Sequence, residues 1–293
     1  MDANFPTYDI STIPGFRNED LLISRFKPYS KTHKHLHYPH RHNFYHLILF
    51  TEGSGEHSID FQNFPVKPYQ IYFMIPGQVH SWNFEKPADG YVVNFSNSFF
   101  QSFLLRPNYL ETFPFFNGEA TDSVFEIPEE MRPNIVALFD DILKESEGNE
   151  RLNIDLVRVQ LLQIFIMISR VALHKNKEFV SPYNYTLLKN FKQLIEKNFT
   201  TLKLPKEYAE LLYITPNHLN ALSNDLLGMS AGEVIRNRII LETKRLLVNL
   251  DLTISEISHQ LNFNDNSYFT KFFKKNTGVT PEEFRKQSLK EVR

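Results

Sequence analysis

The 293-residue sequence predicts an α+β protein: an N-terminal β-barrel followed by helices, then an all-α C-terminal domain with two helix-turn-helix units. Three observations predict it. Aromatic and β-branched residues in the first hundred positions come in short runs punctuated by Pro and Gly, the pattern of a barrel or sandwich. From Pro133 onward apolar residues recur with helical spacing. The last hundred residues contain an internal repeat.

The β elements are expected as follows. Asn43–Thr51 (NFYHLILFT) reads as a strand, Glu52-Gly53-Ser54-Gly55 as a turn, and Glu56–Phe61 as the returning strand. Further short strands are expected at Leu21–Phe26, Gln70–Ile75, Val79–Phe84 and Tyr91–Phe95, separated by Pro65, Pro68, Pro76-Gly77 and Pro87. Two amphipathic helices follow at Pro133–Ser146 and Asn153–His174, broken at Gly148-Asn149. In the second, Leu152, Leu156, Val159, Leu162, Phe165, Ile166 and Ile168 form a broad apolar band. It has width enough to pack on the barrel with one face and on a second copy of the chain with another. The expected division is barrel 1–125, helical dimerisation segment 126–175, linker 176–185 and helical C-terminal domain 186–293.

Composition narrows the function classes. Hydrophobic content of 42% and charged content of 23% are those of an ordinary folded protein. The longest apolar stretch, Leu161–Ile168, is interrupted by Gln163 and is too short to span a bilayer. Met1–Ile10 lacks a basic start followed by an apolar run, so no secretory signal is expected. The absence of cysteine excludes disulfides, thiolate metal sites and cysteine nucleophiles. These features predict a cytoplasmic protein with no membrane partner. The overall charge of −2 divides unevenly: residues 182–293 carry a net +4 and residues 1–181 a net −6. A basic module joined to an acidic one favours a polyanion as partner of the C-terminal half.

The repeat makes that partner specific. Leu204–Val234 matches Ile254–Phe284 in pattern: Ala209, Leu212 and Ile214 correspond to Ser258, Leu261 and Phe263. Leu219, Gly228, Ser230, Glu233 and Val234 correspond to Phe269, Gly278, Thr280, Glu283 and Phe284. Each copy is a short helix, a turn, a longer helix, a Gly stop and a Ser/Thr cap, the layout of a helix-turn-helix. The two are joined by a helix from about Ala231 to Leu250. Reading a major groove requires a helix with one buried face and one small, polar, projecting face. With Leu219, Leu222 and Leu226 inward, the first longer helix projects Asn217, Asn220, Ala221 and Asn224, with His218 beside them. With Phe269, Phe272 and Phe273 inward, the second projects Ser267, Thr270, Lys271 and Lys274, with Asn266 at its start. Asn suits adenine, Lys suits guanine or phosphate, and Ser and Thr suit either. Any single stripe is also what a solvated helix face looks like; two matching stripes in a repeat favour double-stranded DNA.

Ile254–Arg285, ISEISHQLNFNDNSYFTKFFKKNTGVTPEEFR, resembles the signature of AraC/XylS-type regulators, and the first copy is similar but looser. The resemblance implies a bacterial, cytoplasmic transcription regulator, usually an activator, that works as a homodimer, contacts RNA polymerase and answers to a small-molecule effector. It also implies that Asn217, Asn220 and Ala221 read one major-groove segment and Asn266, Ser267, Thr270 and Lys271 a second, about 34 Å away. The turn position often held by Gly is Tyr213 in the first unit and Asn262 in the second. Tyr tolerates a left-handed backbone poorly, so an altered first turn is expected. Ala221, in place of a larger polar residue, predicts thin base readout by the first unit.

In the N-terminal half, His40-Arg41-His42-Asn43-Phe44-Tyr45-His46 resembles the first cupin motif, with His46 where a carboxylate would stand, and Pro76-Gly77-Gln78-Val79-His80 resembles the second. The resemblance implies a cupin-like effector-binding barrel. Strand alternation puts His40, His42, Phe44, His46, Ile48 and Phe50 on one face, and His80 comes from another strand. Two readings stand: up to four imidazoles holding a first-row metal, or histidines that hydrogen-bond within a ligand pocket. The second is preferred, so no metal or cofactor is assigned. The expected pocket is His40, His42, Phe44, His46, Tyr72, His80 and Trp82, suited to the apolar face and hydroxyls of a sugar. His33, His35 and His37 are expected on strand or loop surface. No nucleophile–base pair, phosphate loop or paired-carboxylate motif is present, so an enzyme is not expected. The alternative is a metal-dependent cupin enzyme with a helical appendage.

Overall fold

The computed structural model describes residues 6–10, 20–33, 38–101, 103–106, 109–148, 150–175 and 182–290. The chain divides into two compact units, Pro6–Asn176 and the unit that begins at Lys177.

The first unit is built on one curled sheet. Its strands are β1 (Thr7–Tyr8), β2 (Leu21–Arg25), β3 (His40–His42), β4 (Tyr45–Ile59), β5 (Gln62–Val66), β6 (Gln70–Met74), β7 (Val79–Phe95) and β8 (Val124–Glu126), with helix α1 (Phe26–Thr32) after β2. The sheet order is β1-β3-β7-β4-β6-β8, with β2 also on β7 and β5 also on β4. The long strands β4 and β7 pair antiparallel along nearly their whole length, from Tyr45↔Phe95 to Ile59↔His80. Two expectations are corrected here. Glu52–Gly55 is a bulged bend within one continuous strand, and Val79–Phe84 and Tyr91–Phe95 are two ends of another. Glycines permit the bend. A Cβ at Gly55 would sit 2.3 Å from the Asn83 carbonyl oxygen, and one at Gly90 1.9 Å from that of Leu49, so the strands approach more closely than side chains allow. Chain reversal falls instead at Asp60-Phe61, both at positive φ (48° and 67°), between the paired residues Ile59 and Gln62.

Period-2 alternation separates two cores. Ile48, Phe50, Ile59, Tyr72, Trp82 and Val92 face the interior of the curled sheet. Leu47, Leu49, Ile71, Phe73, Val93 and Phe95 face outward and pack with α2 (Arg132–Glu147) and α3 (Asn153–Lys175). Because both faces of β4 are covered, Leu47–Phe50 reads as an unbroken apolar run. Along α3, Val157, Leu161, Ile164, Phe165 and Ile168 are buried, whereas Leu156 and Val159 are exposed, as is Leu152 in the turn before the helix. Helix α1 was not anticipated; its Phe26 lies edge-on to Phe50, Trp82 and Phe84 inside the sheet. It carries His33 inward as well. That side chain is buried, its Nδ1 2.8 Å from the Tyr29 carbonyl oxygen, so it is not on the surface as expected; His35 and His37 lie outside the described residues.

The second unit is all helical: α4 (Pro182–Asn198), α5 (Pro205–Leu211), α6 (Pro216–Leu227), α7 (Ala231–Leu247), α8 (Ile254–Gln260), α9 (Asn266–Thr277) and α10 (Pro281–Lys290). Residues 182–185, read as linker, form the start of α4; residues 176–181 lie outside the described residues. One core gathers Phe191, Tyr208, Leu219, Ile235, Ile239, Ile257, Phe269 and Phe273 from six helices and from both repeats. Among the described residues no helix is long and apolar enough to cross a membrane.

Candidate nucleic-acid interface and effector site

The two repeats fold alike at the level of single hydrogen bonds. Leu212 N–H donates to the Tyr208 carbonyl, Tyr213 N–H to Glu210 and Ile214 N–H to Ala209; Leu261, Asn262 and Phe263 make the matching bonds to Ile257, His259 and Ser258. Tyr213 and Asn262 both take left-handed φ values, 56° and 54°. The altered first turn expected from Tyr213 is therefore not found. The aromatic side chain points into solvent, where it is 96% exposed. Each recognition-type helix is capped by a side chain, Thr215 accepting from His218 N–H and Asp265 from Tyr268 N–H. Each ends at a left-handed glycine, Gly228 or Gly278. Capping boxes then start the following helices, Ser230 with Glu233 and Thr280 with Glu283. Lys203 ties the repeats together: its Nζ donates to the carbonyls of Leu261 and Asn262 and lies 3.6 Å from the Phe263 ring centroid.

On α6, Asn217, His218, Ala221 and Asn224 are exposed while Leu219 and Leu222 are buried and Leu226 is half-buried. Asn220 is half-buried, and its Oδ1 accepts the Ala231 N–H at the start of α7. One of the two lone pairs of that oxygen is thereby engaged and the side chain is held toward α7, so Asn220 is less freely presented to a base than its exposed neighbours. On α9, Asn266, Ser267, Lys271 and Lys274 are exposed and Thr270 is half-buried, opposite buried Phe269 and Phe273. Asn266 Nδ2 donates to Ser255 Oγ. The freely presented groups are thus Asn217, His218, Ala221 and Asn224 on the first helix and Ser267, Lys271 and Lys274 on the second.

In the first unit the expected pocket residues converge, and all seven are buried. Neighbouring rings among His40, His42, His46 and His80 lie 4.2–5.2 Å apart, centroid to centroid. Trp82 closes one side, 5.2–5.9 Å from His40, His46 and His80, while Phe44 rests on His42 at 4.3 Å. A fifth imidazole, His57, completes the group with its Nε2 3.2 Å from His80 Nδ1 and its ring 4.7 Å from Tyr72. Sequence reasoning missed His57 because a turn was placed before it. The signal was present: within a continuous strand, His57 and Ile59 share the inward face.

Burial first, then neighbouring imidazoles, holds His42, His57 and His80 well below the ordinary histidine value. Burial lowers His46 to about 4 against the opposing hydrogen bond to Asn94. His40 Nδ1 lies 2.7 Å from the Tyr38 carbonyl, so it donates there, and His40 Nε2 meets His42 Nε2 at 3.1 Å. His46 Nδ1 is held by Asn94 Oδ1. Four buried nitrogens then have no hydrogen-bond partner among the described residues: His42 Nδ1, His46 Nε2, His57 Nδ1 and His80 Nε2. Each unmet group costs about 1–3 kcal/mol. Such a concentration inside a fold points to a ligand that meets them.

Comparison with known proteins gives two family matches. Residues 208–287 match a helix-turn-helix domain, and residues 27–165 match the AraC-like ligand binding domain. The chain is similar to the arabinose operon regulatory protein of Salmonella typhimurium, 24% identical over 82% of this chain and 83% of the relative. It is similar to the transcriptional activator RhaR of Mannheimia succiniciproducens, 21% identical over 92% of this chain and 95% of the relative. Among solved structures, unsaturated fatty acid bound ToxT from Vibrio cholerae aligns over 92% of this chain and 95% of its own, at 12% identity and a TM-score of 0.44.

Proposed function

The chain belongs to the AraC-type transcription regulators, an AraC-like ligand-binding domain followed by a DNA-binding helix-turn-helix domain, and from that premise we propose that it binds operator DNA through both α6 and α9 under control of an effector held in the barrel. The observation that carries the proposal is the duplicated turn with its two exposed stripes, polar Asn217 and Asn224 flanking small Ala221 on α6, and Ser267, Lys271 and Lys274 on α9. A helix that presents small polar groups on one face and is anchored by Leu219 or Phe269 on the other fits a major groove. The buried histidine cluster is the effector site of this reading. Its effector is a small molecule; for a sugar, a class suggested by the arabinose relative's name, hydroxyls would meet the unpartnered nitrogens only after the packed rings part. Coupling follows by linkage: an effector that prefers the DNA-competent state raises operator affinity by the same factor as DNA raises effector affinity.

Exposed Leu156 and Val159 on α3, with exposed Leu152 just before it, support self-association as a homodimer; the reading places the protein in the cytoplasm, with RNA polymerase as the partner through which bound protein activates. The relatives compared above are named as transcription regulators, which are not enzymes, and the reading needs no catalysis. Selection of bound fragments from the source genome by the purified full chain tests the proposal. Enrichment of a shared motif with two segments about one helical turn apart is expected; unselective recovery overturns it. Sedimentation of Leu156→Glu, expected as monomer where the parent is dimer, tests the self-association.

A further inference from the structure

The shape of the histidine cluster says more about its ligand than the family does. Imidazole rings 4.2–5.2 Å apart are already in contact, so nothing the size of a sugar ring fits between them. An ion does. His40, His42 and His80 each bring one ring nitrogen to within 4.8 Å of the others, all three residues buried. A tetrahedral ion with metal–imidazole bonds of about 2.0–2.1 Å sets its ligand nitrogens about 3.3–3.4 Å apart. His40 Nε2 and His42 Nε2 already stand at 3.1 Å.

The outer nitrogens are arranged to the same end. His40 Nδ1 is committed to the Tyr38 carbonyl and His80 Nδ1 to His57, which leaves the Nε2 atoms of both rings directed elsewhere. His80 Nε2 has no hydrogen-bond partner among the described residues. Such outer-shell bonds fix the tautomer and orientation of a ligating imidazole. At His42 the proton between the two Nε2 atoms would move to Nδ1, itself partnerless among the described residues, as the ion takes its place. His46, ring to ring 4.9 Å from His42 and 5.2 Å from His80, adds a further partnerless nitrogen for the fourth position or for a bound water.

We propose that the barrel of this regulator holds one divalent first-row transition-metal ion through His40, His42 and His80, with His57 as a positioning residue for His80, and that this ion is the effector. The inference rests on the reading of the barrel as the effector-binding part. An all-imidazole set suits Zn, Cu, Ni or Fe and disfavours Mg or Ca.

The test uses untagged full-length protein, stripped of metal and titrated with Co(II) while visible ligand-field absorption is followed. One equivalent of Co(II), displaced by Zn(II) and not by Mg(II), is expected. His42→Gln and His80→Gln should lose the stoichiometric site, His57→Gln should weaken it about 10–100-fold, and His259→Gln, on α8 of the helical unit, should leave it unchanged. X-ray absorption of the Zn(II)-loaded wild type should show histidine scattering at about 2.0–2.1 Å, a readout that stands even if a variant misfolds. No binding, binding indifferent to His42 and His80, or an oxygen-only shell overturns the proposal. Operator affinity is measured on the same samples with and without Zn(II). A changed affinity in the wild type, absent in His80→Gln, supports the ion as effector; an unchanged one overturns that role. Failure to select any operator is a separate result, and it counts against the DNA-binding reading.

Discussion

Tyr213 and Asn262 hold the same left-handed backbone at the same point of two repeats, φ 56° and 54°, and each donates its N–H to the carbonyl three residues earlier. One is a bulky aromatic and the other a residue suited to that conformation. Equal geometry from unequal residues means the surrounding core, not the turn residue, sets the turn.

Strain at Tyr213 is therefore releasable. Left-handed geometry costs an ordinary residue roughly 1–2 kcal/mol and Asn less, and Tyr213 is 96% exposed, so little packing is lost on replacing it. Tyr213→Asn is expected to stabilise the protein by about 0.5–1 kcal/mol, read as a raised denaturation midpoint at unchanged m-value.

Asn220 should act more on stability than its neighbours do. Its Oδ1 accepts the Ala231 N–H, so Asn220→Ala should destabilise by about 0.5–1.5 kcal/mol. Asn217→Ala and Asn224→Ala, on exposed positions, should stay within about 0.5 kcal/mol. Urea titration of the three variants makes the comparison.

Lys271 is exposed on the free face of α9. If it reads a base, Lys271→Ala weakens specific binding by about 1–3 kcal/mol and relaxes selectivity at one position. Equal losses on selected and random duplexes, in fluorescence anisotropy at fixed salt, would make it a phosphate contact instead.

Three capping glutamates predict an acid response. Hydrogen bonds from Ser230, Thr253 and Thr280 hold Glu233, Glu256 and Glu283 below the ordinary carboxylate value of 4.5. A carboxyl depressed in the folded state stabilises it above the unfolded value, and that contribution is lost as the pH falls through the lower folded value. The helical unit should thus lose stability on acidification below about pH 4.5. The triple Glu→Gln variant should show a flatter dependence in melting curves taken from pH 6 to 3.

What could be read from the sequence was whatever depends on local spacing. The helices at 132–147 and 153–175, the two helix-turn-helix units and the inward set Leu219, Leu222, Phe269 and Phe273 all follow from a 3.6-residue period and its caps. Tertiary structure alone decided what depends on where another strand passes. Glycines at 53 and 55 look like a turn in sequence, yet they allow a bend because β7 crosses closely there. That bend brings His57 against His80 from a strand 23 residues away, and the packing of α7 against α6 gives the side-chain oxygen of Asn220 a capping partner in the Ala231 N–H. Periodicity is a property of one segment, whereas a ring-to-ring contact or a shared hydrogen bond exists only once two segments have met.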